Sequence, residues 1–365
     1  MIFINNIYRK DTGMDKLLET TLKFPNTDYW NDSCAKSDLE YAIARGAVGA
    51  TTNPIIVGSV FKREMADWTG RVKEIINELP YGSEEDVAWK LIEEMGQRGA
   101  KMLEPISVKY KGKKGRISIQ TNARNYRNTE KMLEQALHFN TLAPNMQVKM
   151  PASAAGIKAY EEATYAGVSI NATVSFTVPQ ALAVAEAVER GLKRREAEGL
   201  PIDTMSPVCT LMVGRADDWL KSWVAKTGVI VDPECLEYVG VAIFKRAYQI
   251  YKERGYRLKL LAAAFRNHYH WSELIGADCV ITITQDWQEK LNASNVEVVS
   301  RIDKPVSPEY LRQLLTLPEF VKAYEPDGLS PEGFEYYGAF KHTLTTFLEG
   351  YDDLVKTIRG FMIVQ

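Results

Sequence analysis

At 365 residues, with 45% hydrophobic and 25% charged side chains, the chain has the balance of a folded globular protein and not of a disordered or collagen-like one. Its 45 Lys and Arg against 47 Asp and Glu leave a net charge of -2, which gives no general attraction for nucleic acid or an anionic membrane surface. Four widely separated cysteines, Cys34, Cys209, Cys235 and Cys279, carry no CxxC spacing, the start MIFINNIYRKDTG has charges too early for a signal h-region, and no run of about 18 apolar residues occurs; free thiols, no membrane span and a cytoplasmic location are expected.

Taken in chain order, eight short β-rich runs recur: TDYWND from Thr27, AVGATT from Ala47, GRISIQT from Gly115, MQVKMP from Met146, VSINATV from Val168, VCTLMV from Val208, LKLLAAAF from Leu258 and DCVITIT from Asp278. Amphipathic segments lie between most of them, among them KSDLEYAIARG, TEKMLEQALHF and PQALAVAEAVERGLKRREAEG, the last reaching a glycine where a helix C-cap is expected. Strands alternating with helical crossovers predict an α/β chain folded as a closed (β/α)8 TIM barrel. An open doubly wound sheet is the other reading, and the absence of a GxGxxG fingerprint after every strand weighs against it.

The segment from about Ile55 to Lys114 is expected to hold extra helices, and PEYLRQLLTLPEFVKAY through TTFLEGYDDLVKTIRGFM reads as helices packed outside or across the barrel. No Pro-, Gly- or Ser-rich linker divides the chain, so one barrel domain over residues 1–365 with N-terminal and C-terminal helical extensions is expected. The basic stretch KYKGKKGR, Lys109 to Arg116, reads as a solvated loop, because neither an aromatic stacking set nor a basic helix accompanies it.

In such a barrel the active site forms at the carboxyl ends of the strands. The polar residues there are Asp32 after the first strand, Thr52 and Asn53 after the second, Gln120 on the third, Lys149 on the fourth, Asn171 and Thr173 on the fifth, Arg215 after the sixth, and Arg266 with Asn267 after the seventh. A lone amide or carboxylate at a strand end often only bonds a loop. Lys149 differs, because a lysine inside the apolar run QVKMPA must find a carboxylate or lose its proton, and a neutral amine is a nucleophile toward ketones. Together these residues describe a polar pocket for a small anionic carbonyl compound.

At this point ATTNPIIV, VKMPASAAGIKA, GVSINATVSFTVPQALAVAEA, VGRADDWL and AAAFRN, in that order, resemble the transaldolases, a family of class I Schiff-base aldolases. The resemblance runs from about Asp28 to Thr284 and implies a (β/α)8 barrel with the Schiff-base lysine at Lys149. It implies Asp32 as acid/base on the substrate hydroxyl, Asn53 and Asn171 as amides holding the dihydroxyacetone part, Thr173 as a partner of a catalytic water, and Arg215 with Arg266 as the grip on a phosphate. The implied activity moves a dihydroxyacetone unit from a ketose phosphate to an aldose phosphate, with no metal or organic cofactor. A homodimer is plausible by the same resemblance, and the partner expected otherwise is a small sugar phosphate.

Three positions depart from the family pattern. Gln120 stands where ordinary transaldolases have glutamate, as in the branch that releases free dihydroxyacetone; an amide positions water but carries no proton at neutral pH. Met212 stands where the two branches carry phenylalanine or tyrosine, and reads as apolar wall. Ala264 replaces a serine that contacts phosphate, which opens the anion to a sulfonate or a differently held phosphate. A non-catalytic barrel that binds sugar phosphates is the alternative from another class. His268 and His270 in RNHYHW suggest a lining of the substrate pocket more than a metal-binding pair, since His138 and His342 fall on helices.

Overall fold

The structure, a computed structural model, describes residues 14–363, so the amino-terminal segment on which the signal-peptide expectation rests lies outside the described residues. Eight parallel strands close in sequence order: β1 (Thr27–Asn31), β2 (Gly49–Thr51), β3 (Arg116–Gln120), β4 (Met146–Pro151), β5 (Ile170–Thr173), β6 (Val208–Leu211), β7 (Lys259–Ala262) and β8 (Cys279–Ile283). Thr27 through Asn31 of β1 lie opposite Cys279 through Ile283 of β8, and that pairing rules out the open sheet. Every expected strand is present, and the fold is the (β/α)8 barrel.

Because both faces of a parallel strand are covered, its residues alternate between the helical layer and the lumen. Trp30, Val208, Leu261, Ala263 and Val280 form an apolar cluster of their own, separate from the main core, and fill the lumen from one side. The indole of Trp30 crosses over to β2, where a Cβ built at Gly49 would lie 2.4 Å from its ring, so only glycine fits there.

The extra helices between β2 and β3 are Pro54–Arg63, Met65–Glu78 and Glu84–Lys109, the last opened by a capping box of Ser83 and Asp86. At the carboxyl end the long helix Gly338–Met362 packs on the helices Pro54–Arg63, Glu84–Lys109 and Val213–Thr227. Among the described residues no helix is long and apolar enough to cross a membrane.

The basic stretch is not simply a solvated loop. Arg116 is buried and donates to the carbonyls of Gly112 (2.9 Å), Met146 (2.9 Å) and Thr204 (2.7 Å), while Lys114 pairs with Asp28 at 2.5 Å. Two of its cations therefore stitch the amino-terminal end of the barrel, a role that charge counting does not reveal.

Candidate active site

Lys149 sits on β4 between Gln120 of β3 and Asn171 of β5. Its side chain is buried, and Nζ donates to the Thr52 carbonyl at 3.2 Å instead of to a carboxylate. Burial pushes the ammonium below its ordinary lysine value, and the charge of Asp32 works against that shift. Asp32, directly after β1, is moved the other way: burial raises its carboxyl, and Lys149 and a hydrogen bond from Thr51 oppose the rise.

Thr51 Oγ1 donates to Asp32 Oδ1 at 2.6 Å and also lies 2.6 Å from Thr282 Oγ1. A hydroxyl has one proton, so Thr282 donates to Thr51 and Thr51 to Asp32, aiming two hydroxyls at one carboxylate. The sequence pattern points to its neighbour Thr52 and misses Thr51. Strand alternation was the available signal, because Thr51 shares the inward face of β2 with Gly49. Thr52 itself turns its hydroxyl to Cys34 Sγ at 3.6 Å and meets Lys149 through its backbone.

At the carboxyl ends of β3 and β5, the strands that flank the lysine's strand, several buried polar atoms have no hydrogen-bond partner: Gln120 Oε1, Thr121 Oγ1, Thr173 Oγ1 and Ser175 Oγ. Such a group is costly unless water or a ligand supplies the missing bond. Between two of them Val174 has φ 51°, a left-handed conformation that a β-branched residue adopts only under strain. Gln180 holds this turn, accepting from the Phe176 N–H and donating to the carbonyls of Val174 and Ala152 at 3.0 and 3.1 Å.

The two asparagines are engaged by the fold. Asn53 Oδ1 accepts from the Ile56 N–H at 3.0 Å and caps the helix Pro54–Arg63. Fully buried Asn171 donates to Ser118 Oγ (3.0 Å) and accepts from Thr210 Oγ1 (2.7 Å), in a lumen network that continues to Gln147. Met212 is buried, as expected for an apolar wall, and its backbone N–H donates to the Ser175 carbonyl.

Beyond β6 and β7 the two arginines meet. Arg215 is half-buried in the first turn of the helix Val213–Thr227, and burial together with the Arg266 charge lowers its pKa, opposed by Asp218. Arg266 pairs with Asp218 at 2.7 Å and donates to the Phe265 carbonyl at 2.9 Å. Two guanidinium groups share one carboxylate here, which leaves a local excess of positive charge at this seat. Ala264, at φ 64°, directs its carbonyl at Gly214 so closely that a Cβ there would lie 1.8 Å from the oxygen.

Asn267 and the histidines do not join this seat. Asn267 bonds Glu237 and the Tyr269 N–H, and His268 lies 3.1 Å from Ser272 Oγ. His270 is fully buried against Asp217 and so cannot line a pocket, contrary to the expectation. Among the described residues no group of three or more His, Cys, Asp or Glu could hold a metal ion. Two cavities of about 540 Å³ lie elsewhere, one beside Lys245, Arg246 and Tyr324 and one beside Trp219 and Lys341; neither is lined by Lys149 or Asp32. Chemistry, more than volume, locates the site.

The family model described as Transaldolase/Fructose-6-phosphate aldolase matches residues 29–333. Similar curated proteins include Transaldolase 1 of Streptomyces avermitilis, 30% identical over 223 residues that cover 60% of this chain and 58% of that protein. Transaldolase of Renibacterium salmoninarum is 27% identical over 225 residues, 60% of this chain and 59% of its own. Transaldolase of Thiobacillus denitrificans is 31% identical over 166 residues, 44% and 46% respectively. The chain thus spans less than two thirds of the length of these relatives.

Proposed function

The chain belongs to the transaldolase/fructose-6-phosphate aldolase family, and from that premise we propose that it transfers a dihydroxyacetone unit from a ketose phosphate, such as fructose 6-phosphate, to an aldose phosphate through a Schiff base on Lys149. The observation that carries the reading is the buried lysine of β4, its pKa lowered by desolvation and its nitrogen unpaired with any carboxylate.

In the scheme the neutral Lys149 amine adds to the ketose carbonyl, and the carbinolamine loses water to give an iminium ion. Asp32 takes the proton from the hydroxyl beyond the breaking carbon–carbon bond. The bonding electrons flow into the iminium, an aldehyde phosphate leaves, and an enamine remains on Lys149. The acceptor aldehyde is then attacked by the enamine carbon, Asp32 returns its proton to the new hydroxyl, and water hydrolyses the iminium to free the product. The unpartnered oxygens of Gln120 and Thr173 are suited to hold that water. Arg215 and Arg266 would hold the substrate phosphate, or a sulfonate in its place, while Asn53 retains an amide N–H for the sugar hydroxyls. Four free, buried cysteines fit a reducing cytoplasm.

A second reading, release of free dihydroxyacetone, is motivated by Gln120. Met212 speaks for transfer, since it offers no hydroxyl to protonate the enamine. Changing Gln120→Glu is expected to alter the ratio of transferred to released product; an unaltered ratio would remove that residue from consideration.

Incubation with fructose 6-phosphate and borohydride, followed by intact-mass and peptide measurement, tests the scheme. A reduced three-carbon adduct on Lys149, absent from Lys149→Ala, is expected. No adduct with this or any other phosphorylated or sulfonated ketose would sink it, and sugar-phosphate binding undiminished by Lys149→Ala would then favour a non-catalytic barrel.

A further inference from the structure

The reaction scheme leaves a buried acid and a buried imidazole unused, and both lie directly behind the anion seat. We infer that Asp217 and His270 are positioning residues for anion recognition: they fix the backbone at Arg266 and so set the affinity of the Arg215–Arg266 subsite. The inference rests on the reading of those two arginines as the anion grip.

The hydrogen bonds run in one direction only. The Arg266 N–H donates to His270 Nδ1 at 3.0 Å, so Nδ1 carries no proton and the ring proton sits on Nε2. Nε2 donates to Asp217 Oδ2 at 2.7 Å, and the other carboxylate oxygen, Oδ1, accepts from the Gly240 N–H at 2.8 Å. Both side chains are fully buried, so water cannot replace a lost member. The chain starts on the amide of the helix Val239–Arg254, passes through Asp217 and His270, and ends on the one backbone group that carries Arg266.

A pair that served only to join two helices would not need to end there. The segment it reaches is strained, with Ala264 at φ 64° and its carbonyl pressed on Gly214. Strained backbone persists only where its surroundings over-determine it. One helix, Val213–Thr227, supplies Arg215 as one cation, Asp218 as the partner of the other guanidinium, and Asp217 as the hold, through His270, on the other arginine's backbone. The stretch GRADD is thereby a single device with a division of labour among its charged residues.

The tautomer makes the idea testable. In Asp217→Asn the amide offers one acceptor and one donor in place of two acceptors. If the oxygen stays on Gly240, the NH2 faces His270 Nε2 and drives the ring proton to Nδ1, against the Arg266 N–H. With four histidines in the chain, nitrogen-15 spectra of histidine-labelled protein can follow this ring.

The wild type is expected to show one buried Nε2–H tautomer and Asp217→Asn the Nδ1–H form, with the Kd for inorganic phosphate rising about tenfold. His270→Asn, whose Oδ1 stands near the place of Nδ1, should bind phosphate within about threefold of wild type, whereas His270→Leu should lose about tenfold. These two variants decide the matter even if Asp217→Asn does not fold. Borohydride trapping with unphosphorylated dihydroxyacetone should be unchanged in all of them, because that substrate carries no anion. If the wild type binds phosphate and His270→Leu binds it equally well, or if the Asp217→Asn tautomer is unchanged, the inference fails alone. If the wild type binds no phosphate, the anion reading fails and takes the inference with it.

Discussion

Lys149 and Asp32 act on each other's protons in a way that fixes the sign of a pH experiment. Burial lowers the lysine, and the Asp32 charge is the one influence that raises it. Removing that charge in Asp32→Asn therefore leaves the lysine lower still, and a larger fraction of the amine is neutral at any pH below its titration. The pH above which the borohydride-trapped adduct forms readily is expected to move to a more acidic value in the variant, while turnover falls by about 10²- to 10⁴-fold for want of the base. Adduct yield across a pH series, measured beside steady-state turnover, checks both halves. A limb that moves to more alkaline pH would show that Asp32 does not act on Lys149 through its charge.

At the scale of the element, Asn53 caps a helix and, in the proposed scheme, also serves the pocket. Asn53→Ala removes the cap of the helix Pro54–Arg63 and is expected to cost about 0.5–2 kcal/mol in urea unfolding. Asn53→Asp keeps an acceptor at the cap but loses the amide N–H, so its stability should stay close to wild type while the KM for the ketose rises. Gly214 belongs to the same scale. A Cβ at 1.8 Å from the Ala264 carbonyl forces the first turn of one helix away from the loop that follows β7, so Gly214→Ala is expected to cost about 1–3 kcal/mol and to weaken phosphate binding. Calorimetry and a phosphate titration on one preparation would read both effects; a variant with unchanged stability would mean that the loop yields freely and is not clamped.

The whole molecule shows which kinds of information a sequence carries. The eight strands were legible because double burial leaves them as short apolar runs, and Lys149 was legible because it interrupts one. The hold of Asp217 on His270 was not, since 53 residues separate them and neither sits in an apolar strand. The task of Asn171 was equally hidden, because its partners Ser118 and Thr210 come from strands β3 and β6 and meet only across the closed lumen. Electron withdrawal in the proposed scheme comes from the iminium nitrogen, so EDTA treatment is expected to leave turnover unchanged, and a loss restored by a divalent cation would require a different electron sink.

The carboxyl-terminal helices were expected, yet their energetic weight depends on what they bury. In the helix Gly338–Met362, Phe340, Phe347, Tyr351, Leu354 and Ile358 are each no more than 1% exposed, against helices that follow β2 and β6 and precede β3. At about 2 kcal/mol per buried side chain these five contribute on the order of 10 kcal/mol. Shedding the helix would also uncover the apolar faces it covers on those three neighbouring helices, so the barrel is expected not to stay folded without it. Removing residues 338–365 is expected to abolish the cooperative thermal transition seen by circular dichroism and to leave an aggregating chain. A truncated protein that still melted in one sharp step near the parent temperature would instead make the helix an appendage, and the barrel a unit complete without it.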